Sequence, residues 1–170
     1  MPRLVVVLPL TPLEVGSSFA VSAWPLHITV LPPFLTDAPA REIAAAILAA
    51  TRVHPPLTVV AGADELFGRR HTIPVSLVDA SVELTELHRT LVTAIRPFAA
   101  EPDEPAFTGN GFRAHVTHKP PARVHPGDSL TLTQLALVDM LPRAHAAGRT
   151  VLAAHPLRTP ETPRVGKMVG

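Results

Sequence analysis

Residues 26–33, LHITVLPP, have a second copy in residues 114–121, AHVTHKPP. Histidine, a β-branched residue, threonine and a pair of prolines stand in the same register in both copies, and the two histidines are 88 positions apart (115 − 27). One His-x-Thr triplet is short enough to arise by chance. Its repetition with matching flanks indicates a fold with two corresponding halves, each contributing one such strand.

Side chains alternate between the two faces of a β-strand, which indicates which residues of this repeat lie together. Side chains at positions i and i+2 of a strand project from the same face. His27 and Thr29 are therefore predicted to point the same way, with the β-branched residue between them facing a core. His115 and Thr117 are predicted to do the same. If the two strands are neighbours, two imidazoles and two hydroxyls converge on one site.

These four side chains favour acid–base chemistry on a phosphodiester. An imidazole titrates near pH 6.5, so one ring can act as a base while the other acts as an acid, which makes His27 and His115 the catalytic candidates. The hydroxyls of Thr29 and Thr117 can donate to the oxygens of a phosphate. The chain has no cysteine, which excludes disulfides, thiolate zinc sites and cysteine nucleophiles. We expect neither a metal nor a cofactor.

The remaining segments predict a mixed fold. A helix capped by Thr36 or Asp37 and a helix capped by Ser81 interrupt a series of strands. Pro32 and Pro33 are expected to end the strand of the first repeat, and Pro74 suggests an edge strand. The order of elements predicts an α+β fold with largely antiparallel strands. The predicted strands cover residues 3–10, 26–31, 57–61, 72–78, 112–118, 130–138 and 150–154.

Composition limits the classes of partner and location. Hydrophobic residues make up 46% and charged residues 17%, enough apolar surface for a single domain, expected at 1–155. Residues 156–170, rich in Pro and Arg, are predicted to be a loosely held tail. The net charge of +1 argues against a large nucleic-acid surface. The apolar run 4–10 is too short for a membrane span, so we expect a cytoplasmic protein that does not bind membranes. We also expect a monomer.

The sequence resembles the two-histidine phosphoesterases, above all the bacterial RNA 2',3'-cyclic phosphodiesterases, also called 2'-5' RNA ligases. The resemblance rests on RLVVVLPL, HITVLPPF, FRAHVTH and the closing strands, in the order of that family. It implies an α+β, bilobal fold of two mostly antiparallel sheets related by a pseudo-twofold axis around a central cleft, with helices outside. It also implies a metal-independent enzyme that opens 2',3'-cyclic phosphates, on RNA ends or small nucleotides, to 2'-phosphates.

The resemblance further implies roles and alternatives. His27 would be the acid and His115 the base, and some members carry out 2'-5' ligation of RNA ends. The chain departs from the family in residues 11–25, which leave room for little more than a turn or two where the family has a helix. A phosphodiesterase for a small cyclic-phosphate metabolite, and a non-catalytic nucleotide- or RNA-binding module, are the alternatives.

Four basic residues are candidate substrate contacts. Arg113 alternates with His115 and can share its face, and Lys119 lies near the place of a basic residue in the family, although Pro120 follows it. Arg69 and Arg70 precede a strand and would contact a neighbouring phosphate of the substrate or else form a solvated turn.

Other rings and imidazoles are expected to have structural roles. Trp24 and Phe67 are expected to pack rather than to stack on a base. His118 stands three residues after His115, so on a strand the two face opposite ways and do not form a metal site. His88, on a predicted helix, is expected to be solvated.

Overall fold

The computed structural model describes residues 2–99, 111–140 and 148–159. Within these ranges there are nine strands, two α-helices and one 3-10 helix, Val21–Ala23. The strands are β1 (Arg3–Pro9), β2 (Ser18–Phe19), β3 (His27–Leu35), β4 (Leu57–Phe67), β5 (Ile73–Val78), β6 (His115–Thr117), β7 (Ser129–Leu132), β8 (Gln134–Asp139) and β9 (Arg149–Pro156). The helices are α1 (Ala40–Thr51) and α2 (Val82–Ile95).

All the strand pairings are antiparallel, and the strands follow the order β2-β9-β8-β1-β3-β6-β5-β4-β7. The predicted α+β class with antiparallel strands is therefore confirmed. The two expected sheets are joined at β3 and β6, so the strands form one continuous order instead of two separate sheets. These two strands carry the two copies of the repeat.

Two cores lie on opposite faces of this sheet. The larger core contains Ile28 and Val116, the middle residues of the two triplets, together with the inner faces of α1 and α2. The smaller core lies on the other face, where Val7 is paired with Thr29 and packs in the same cluster as Trp24. Burying one aliphatic side chain contributes about 1.5–3 kcal/mol. The two helices therefore stabilise the sheet by packing on the face that carries Ile28 and Val116, and they do not cover the opposite face, which carries the His-x-Thr side chains.

The two helices begin differently from each other. Ser81 caps α2 as predicted, because its Oγ accepts a hydrogen bond from the Leu84 amide at 3.2 Å. The predicted caps of α1 are wrong: the helix starts at Ala40 after Pro39, and no side chain caps it. The Thr36 hydroxyl instead accepts from the Ala38 amide and donates to a carbonyl after α2, which links the two helical segments.

Prolines do not break the strands where the sequence predicts. β3 continues through Pro32 and Pro33 to Leu35. Its pairing with β1 shifts register at this place, and a bulge tolerates residues that lack an N–H donor. The predicted edge position of Pro74 is also wrong, since β5 lies between β6 and β4. Pro74 is the second residue of β5, close to the strand end, where the sheet tolerates one missing donor more readily.

Other segments also differ from their predicted extent, among them β4, which continues past residue 61 to Phe67. The predicted strand 112–118 is reduced to the three residues of β6, and the strand 130–138 is divided between β7 and β8 at Thr133. The start of the predicted tail is held in place, because Leu157 is buried in the larger core and its amide donates to the Thr133 carbonyl. Residues 160–170 lie outside the described residues.

The expectation that His88 is solvated is wrong. The ring is fully buried between α2 and the sheet, and its Nδ1 donates to the Val30 carbonyl at 2.7 Å. Phe112 stacks on the ring with centroids 4.0 Å apart. A polar ring on the buried stripe of a helix is tolerated here because a backbone carbonyl satisfies it.

Neither described helix has the length and hydropathy of a membrane span.

Candidate active site

The site is built where β3 and β6 pair. Ile28 is the direct partner of Val116, and the strands run antiparallel. This register places His27 across from Thr117 and Thr29 across from His115, all on the face opposite to the larger core. Side chains in such positions have Cβ atoms about 4.5–5.5 Å apart. Two imidazoles and two hydroxyls thus lie side by side in a diagonal arrangement.

Both imidazoles are oriented in the same manner. The Nδ1 of His27 donates to the Pro25 carbonyl at 2.8 Å, and the Nδ1 of His115 donates to the Arg113 carbonyl at 2.8 Å. Each acceptor belongs to the residue two positions earlier in the chain. Since a carbonyl oxygen only accepts, Nδ1 carries the hydrogen in both rings and Nε2 is the nitrogen that gains or loses a proton.

An indole ring and a guanidinium group lie behind His27. Trp24 stacks on the imidazole with centroids 3.9 Å apart and an interplanar angle of 29°. The Arg149 Cζ lies 5.4 Å from the centre of the Trp24 ring. Arg149 is held by the carbonyls of Met140 and Gly148, which accept from its Nη1 at 2.6 and 2.9 Å. Both Trp24, 6% exposed, and Arg149, 9% exposed, are buried, so this support is shielded from solvent.

His115 has a similar but more open support. The Phe67 ring meets it edge-on, with centroids 4.6 Å apart and an interplanar angle of 63°. Arg113 lies over the same phenyl ring at 5.0 Å and forms an ion pair with Glu65 at 2.6 Å. Arg113 and Glu65 are both substantially exposed. The two imidazoles therefore share a His–aromatic–Arg arrangement but differ in how far solvent reaches it.

This difference affects the acid–base behaviour of His27 most. Burial lowers the pKa of His27 to about 4, although the Pro25 carbonyl opposes the change. The positive charges of Lys119, His115 and Arg149 lower this pKa further. Burial also lowers the pKa of His115; the Arg113 carbonyl opposes the change, and the positive charge of the Arg113 guanidinium adds to it. Both rings thus favour the neutral form in the unliganded protein.

The candidate contact residues occupy different positions around the site. Lys119 is half-buried just after β6 and close enough to His27 to influence its titration, and burial lowers the pKa of Lys119. Arg113 lies beside His115, over the phenyl ring that contacts it. Arg69 and Arg70 lie in the exposed turn between β4 and β5.

His118 belongs to a different cluster. Its Nε2 lies 2.8 Å from the Oγ of Ser76, which is fully buried, and 3.9 Å from Asp64. Arg123 Nη2 donates to both Asp64 carboxylate oxygens at 2.8 Å. Burial lowers the pKa of His118, so this network is held by hydrogen bonds more than by charge on the ring.

Over residues 2–99, 111–140 and 148–159, no group of three or more His, Cys, Asp or Glu is arranged to hold a metal.

Comparison with known proteins identifies the family. The sequence profile of the 2'-5' RNA ligase superfamily matches residues 10–146, which include β3, β6 and all four side chains of the site. The chain belongs to the 2'-5' RNA ligase superfamily. A search of curated proteins finds no significant match.

Solved structures share the superfamily fold. The E. coli LigT complexed with NADP+ is 19% identical, with a TM-score of 0.57 over 93% of this chain and 98% of LigT. The complex of LigT with 3'-AMP is 21% identical, with a TM-score of 0.56 over 92% and 99%. A Thermus thermophilus protein is 19% identical, with a TM-score of 0.57 over 94% and 100%. At these identities the similarity shows the fold alone.

Some site residues of this superfamily member are not apparent from the sequence. Trp24 packs, as expected, but its packing partner is a candidate catalytic ring. Arg149 has no local signal, because it is 122 residues from His27 and reaches the site only through strand pairing (149 − 27). Its position at the start of β9, after a glycine, resembles many other strand starts. Only a spatial criterion, a buried guanidinium on an aromatic ring, distinguishes it.

Proposed function

We propose that the chain is a metal-independent phosphodiesterase that opens 2',3'-cyclic phosphates of RNA ends or small nucleotides to 2'-phosphates. The observation that carries this proposal is the matched pair His27 and His115, whose Nδ1 atoms are both bound to carbonyls and whose Nε2 atoms remain for proton transfer. Thr29 and Thr117 flank them on the same face. Membership of the superfamily supports an enzyme acting on phosphoesters.

The chemistry requires one proton to be taken and one to be given. A base removes a proton from water, the water oxygen forms a bond to phosphorus, and the bond from phosphorus to the 3'-oxygen breaks. An acid gives a proton to the leaving 3'-oxygen, so the product is a 2'-phosphomonoester with a free 3'-hydroxyl. The threonine hydroxyls and Lys119 bind the non-bridging oxygens, where charge increases in the transition state. Ligation follows the same course with a 5'-hydroxyl in place of water: the 5'-oxygen bonds to phosphorus, the bond to the 3'-oxygen breaks, and the product is a 2'-5' phosphodiester with a free 3'-hydroxyl.

The electrostatics of the site favour roles opposite to those that the resemblance implied. His27 is the more deeply buried ring, its pKa is lowered to about 4, and the cations Lys119 and Arg149 oppose its protonation. A bound phosphodiester anion raises both pKa values, and His115, nearer to solvent, takes up a proton more readily. We therefore assign His27 as the base and His115 as the acid.

Turnover of adenosine 2',3'-cyclic phosphate tests the proposal. His27→Ala and His115→Ala should each lower turnover by roughly 100- to 10,000-fold, the usual contribution of a general acid or base. Chromatography should identify adenosine 2'-phosphate as the product. A 3'-phosphate product would show that the leaving oxygen is assigned wrongly, and full activity in both variants would refute the mechanism.

A substrate with sulfur in place of the 3'-oxygen tests which ring is the acid. A thiolate leaves without protonation, because a thiol has a pKa of about 8.5. Loss of the acid should then cost little, so His115→Ala should recover activity on this substrate while His27→Ala should not. Recovery by His27→Ala alone would restore the roles implied by the resemblance.

A small cyclic-phosphate metabolite is the second candidate substrate. The near-neutral charge of the chain favours it, since proteins that bind long nucleic acids usually have a clear basic excess. LigT has been crystallised with NADP+, 3'-AMP and ATP, which are all small nucleotides. A panel of cyclic nucleotides with different bases and substituents, compared by kcat/KM, separates the two candidates.

A further inference from the structure

Arg149 places a positive charge inside the protein without a counter-ion. It lies at the start of β9 and is buried, and it contacts Trp24 and Met140, two members of the smaller, apolar core. Arginine is almost never buried this deeply unless its charge is paired. Among the described residues no carboxylate pairs with Arg149, and the carbonyls of Met140 and Gly148 accept from its Nη1 instead. Its charge is therefore left uncompensated.

The Arg149 guanidinium contacts the indole that stacks on His27. The centre of the Trp24 ring lies 3.9 Å from that of His27 and 5.4 Å from the Arg149 Cζ, so the guanidinium is less than about 10 Å from the imidazole. The indole N–H has no hydrogen-bond partner in the described part of the chain, so packing alone sets the orientation of the ring. A guanidinium within about 6 Å of an aromatic centroid is attracted to it. Arg149, anchored by two carbonyls, therefore holds the indole in place.

The charges that act on His27 are positive. Lys119 follows β6, His115 lies on β6 and Arg149 on β9, and each disfavours a proton on the His27 ring. No carboxylate within the described ranges forms an ion pair with His27. His115 is charged only when protonated, and burial and Arg149 lower the pKa of Lys119. Arginine does not lose its proton in proteins, so Arg149 is the permanent charge of the three.

The corresponding arginine at the other imidazole is neutralised. Arg113 lies 5.0 Å from the centre of the Phe67 ring, which contacts His115. Unlike Arg149, it forms an ion pair with Glu65 at 2.6 Å, and both partners are substantially exposed. A carboxylate and solvent thus screen the charge of Arg113. The two halves of the site share a His–aromatic–Arg arrangement, but only one half has an arginine whose charge is buried and unpaired.

We propose that Arg149 is a positioning residue for His27: it fixes the Trp24 ring, and its uncompensated charge keeps the imidazole in the neutral form that a general base requires. The inference rests on the proposed phosphodiesterase function, in which His27 takes a proton from water. Arg149 itself transfers no proton and acts on the ring from behind the indole. The difference between base and acid is thereby set by a residue outside both His-x-Thr triplets.

Fluorescence reports the protonation of His27 directly, because Trp24 is the only tryptophan and the chain has no tyrosine. A protonated imidazole stacked on an indole quenches the emission far more than a neutral one does. Lowering the pH should therefore quench the emission in a step centred near pH 4, the pKa of His27. His27→Gln should abolish this step. Acid unfolding is recognised separately, because it moves the emission to longer wavelength.

Three variants separate the charge of Arg149 from its bulk. Arg149→Met removes the charge and keeps an apolar side chain in the core, Arg149→Lys keeps the charge, and the control Arg52→Met removes an exposed charge at the end of α1. Loss of one charge at about 10 Å should move the midpoint of Arg149→Met to higher pH by about 0.3–1.2 units. Arg149→Lys and Arg52→Met should keep the wild-type midpoint. If Arg149→Met does not fold, Arg149→Gln supplies the neutral side chain.

Turnover of adenosine 2',3'-cyclic phosphate gives a second readout. In Arg149→Met the acid limb of the plot of kcat/KM against pH should move together with the fluorescence midpoint. KM at pH 7.5 should keep its wild-type value, because a positioning residue does not bind the substrate. A raised KM with an unmoved midpoint would make Arg149 a substrate contact and overturn the inference.

The fluorescence titration needs no turnover, so it separates this inference from the proposed function. Inactive wild type whose midpoint still moves in Arg149→Met would refute the proposed function and support the positioning role. Equal midpoints in wild type and Arg149→Met would overturn that role whether or not the enzyme turns over. A shift of the same size in Arg149→Lys or in Arg52→Met would overturn it too, as would a wild-type step that His27→Gln leaves in place.

Discussion

Acidification should destabilise the folded chain through His27. The pKa of this ring is about 4 in the folded protein and about 6.5 in an unfolded chain. Between these values the unfolded chain holds one more proton at this position than the folded chain does. The free energy of unfolding therefore rises with pH across the interval and falls as the pH is lowered from 6.5 towards 4.

The size of the effect follows from the width of the interval. Each pH unit within it changes the free energy of unfolding by about 1.4 kcal/mol, so the His27 contribution is about 3 kcal/mol in all. The side chain is only 9% exposed, so solvent does not screen most of it. Burial lowers the pKa of His88, His118 and His155 as well, so wild type as a whole should lose more than this amount.

The difference between wild type and His27→Gln isolates the one ring. Urea unfolding followed by circular dichroism at pH 7.5 and pH 4.5 covers about two units of the interval. Wild type should lose about 2–3 kcal/mol more between these pH values than His27→Gln loses. His125→Gln, which alters an exposed histidine, should lose as much as wild type. Equal losses in wild type and His27→Gln would show that the ring is not protected from protonation, and would remove the basis for assigning it as the base.

Other changes test the surroundings of the two rings. Trp24→Leu removes the indole stacked on His27, which should expose the ring and raise its pKa, so the acid limb of the plot of kcat/KM against pH should move to higher pH. An acid limb at the wild-type pH would mean that the indole does not set the environment of the ring. Thr29→Val and Thr117→Val should each lower kcat/KM by roughly 10- to 100-fold, the value of one hydrogen bond to a charged group, and a loss as large as that of a histidine variant would give the hydroxyl a larger role. Turnover should continue in excess EDTA, whereas loss in EDTA with recovery on adding a divalent ion would contradict the metal-independent mechanism.

Much of the fold can be predicted from the sequence because its signals are local. Alternation along a strand places His27 with Thr29, and His115 with Thr117, whatever the rest of the chain does. The Ser81 cap is equally local, and it is confirmed. Matching flanks in the repeat also indicated two corresponding halves.

Prolines show where local signals were insufficient. Pro32 and Pro33 were expected to end β3, and Pro74 to mark an edge, because proline lacks a backbone donor. The structure places Pro32 and Pro33 where the pairing with β1 shifts register, and Pro74 one residue from a strand end. Whether a proline ends a strand therefore depends on where its missing N–H group lies relative to the neighbouring strand. The sequence alone does not show which strand is the neighbour.

The sequence by itself determined which side chains share a face, since that depends only on the two-residue period of a strand. Only the tertiary structure decided that β3 and β6 are neighbours, that Arg149 lies behind Trp24, and that His88 is buried. The same holds for the unequal titration of the two catalytic candidates. Burial is a sum over all the elements that pack around a ring, and for His27 those elements are distant in the chain. Its depressed pKa is thus a property of the assembled sheet, not of the triplet that contains it.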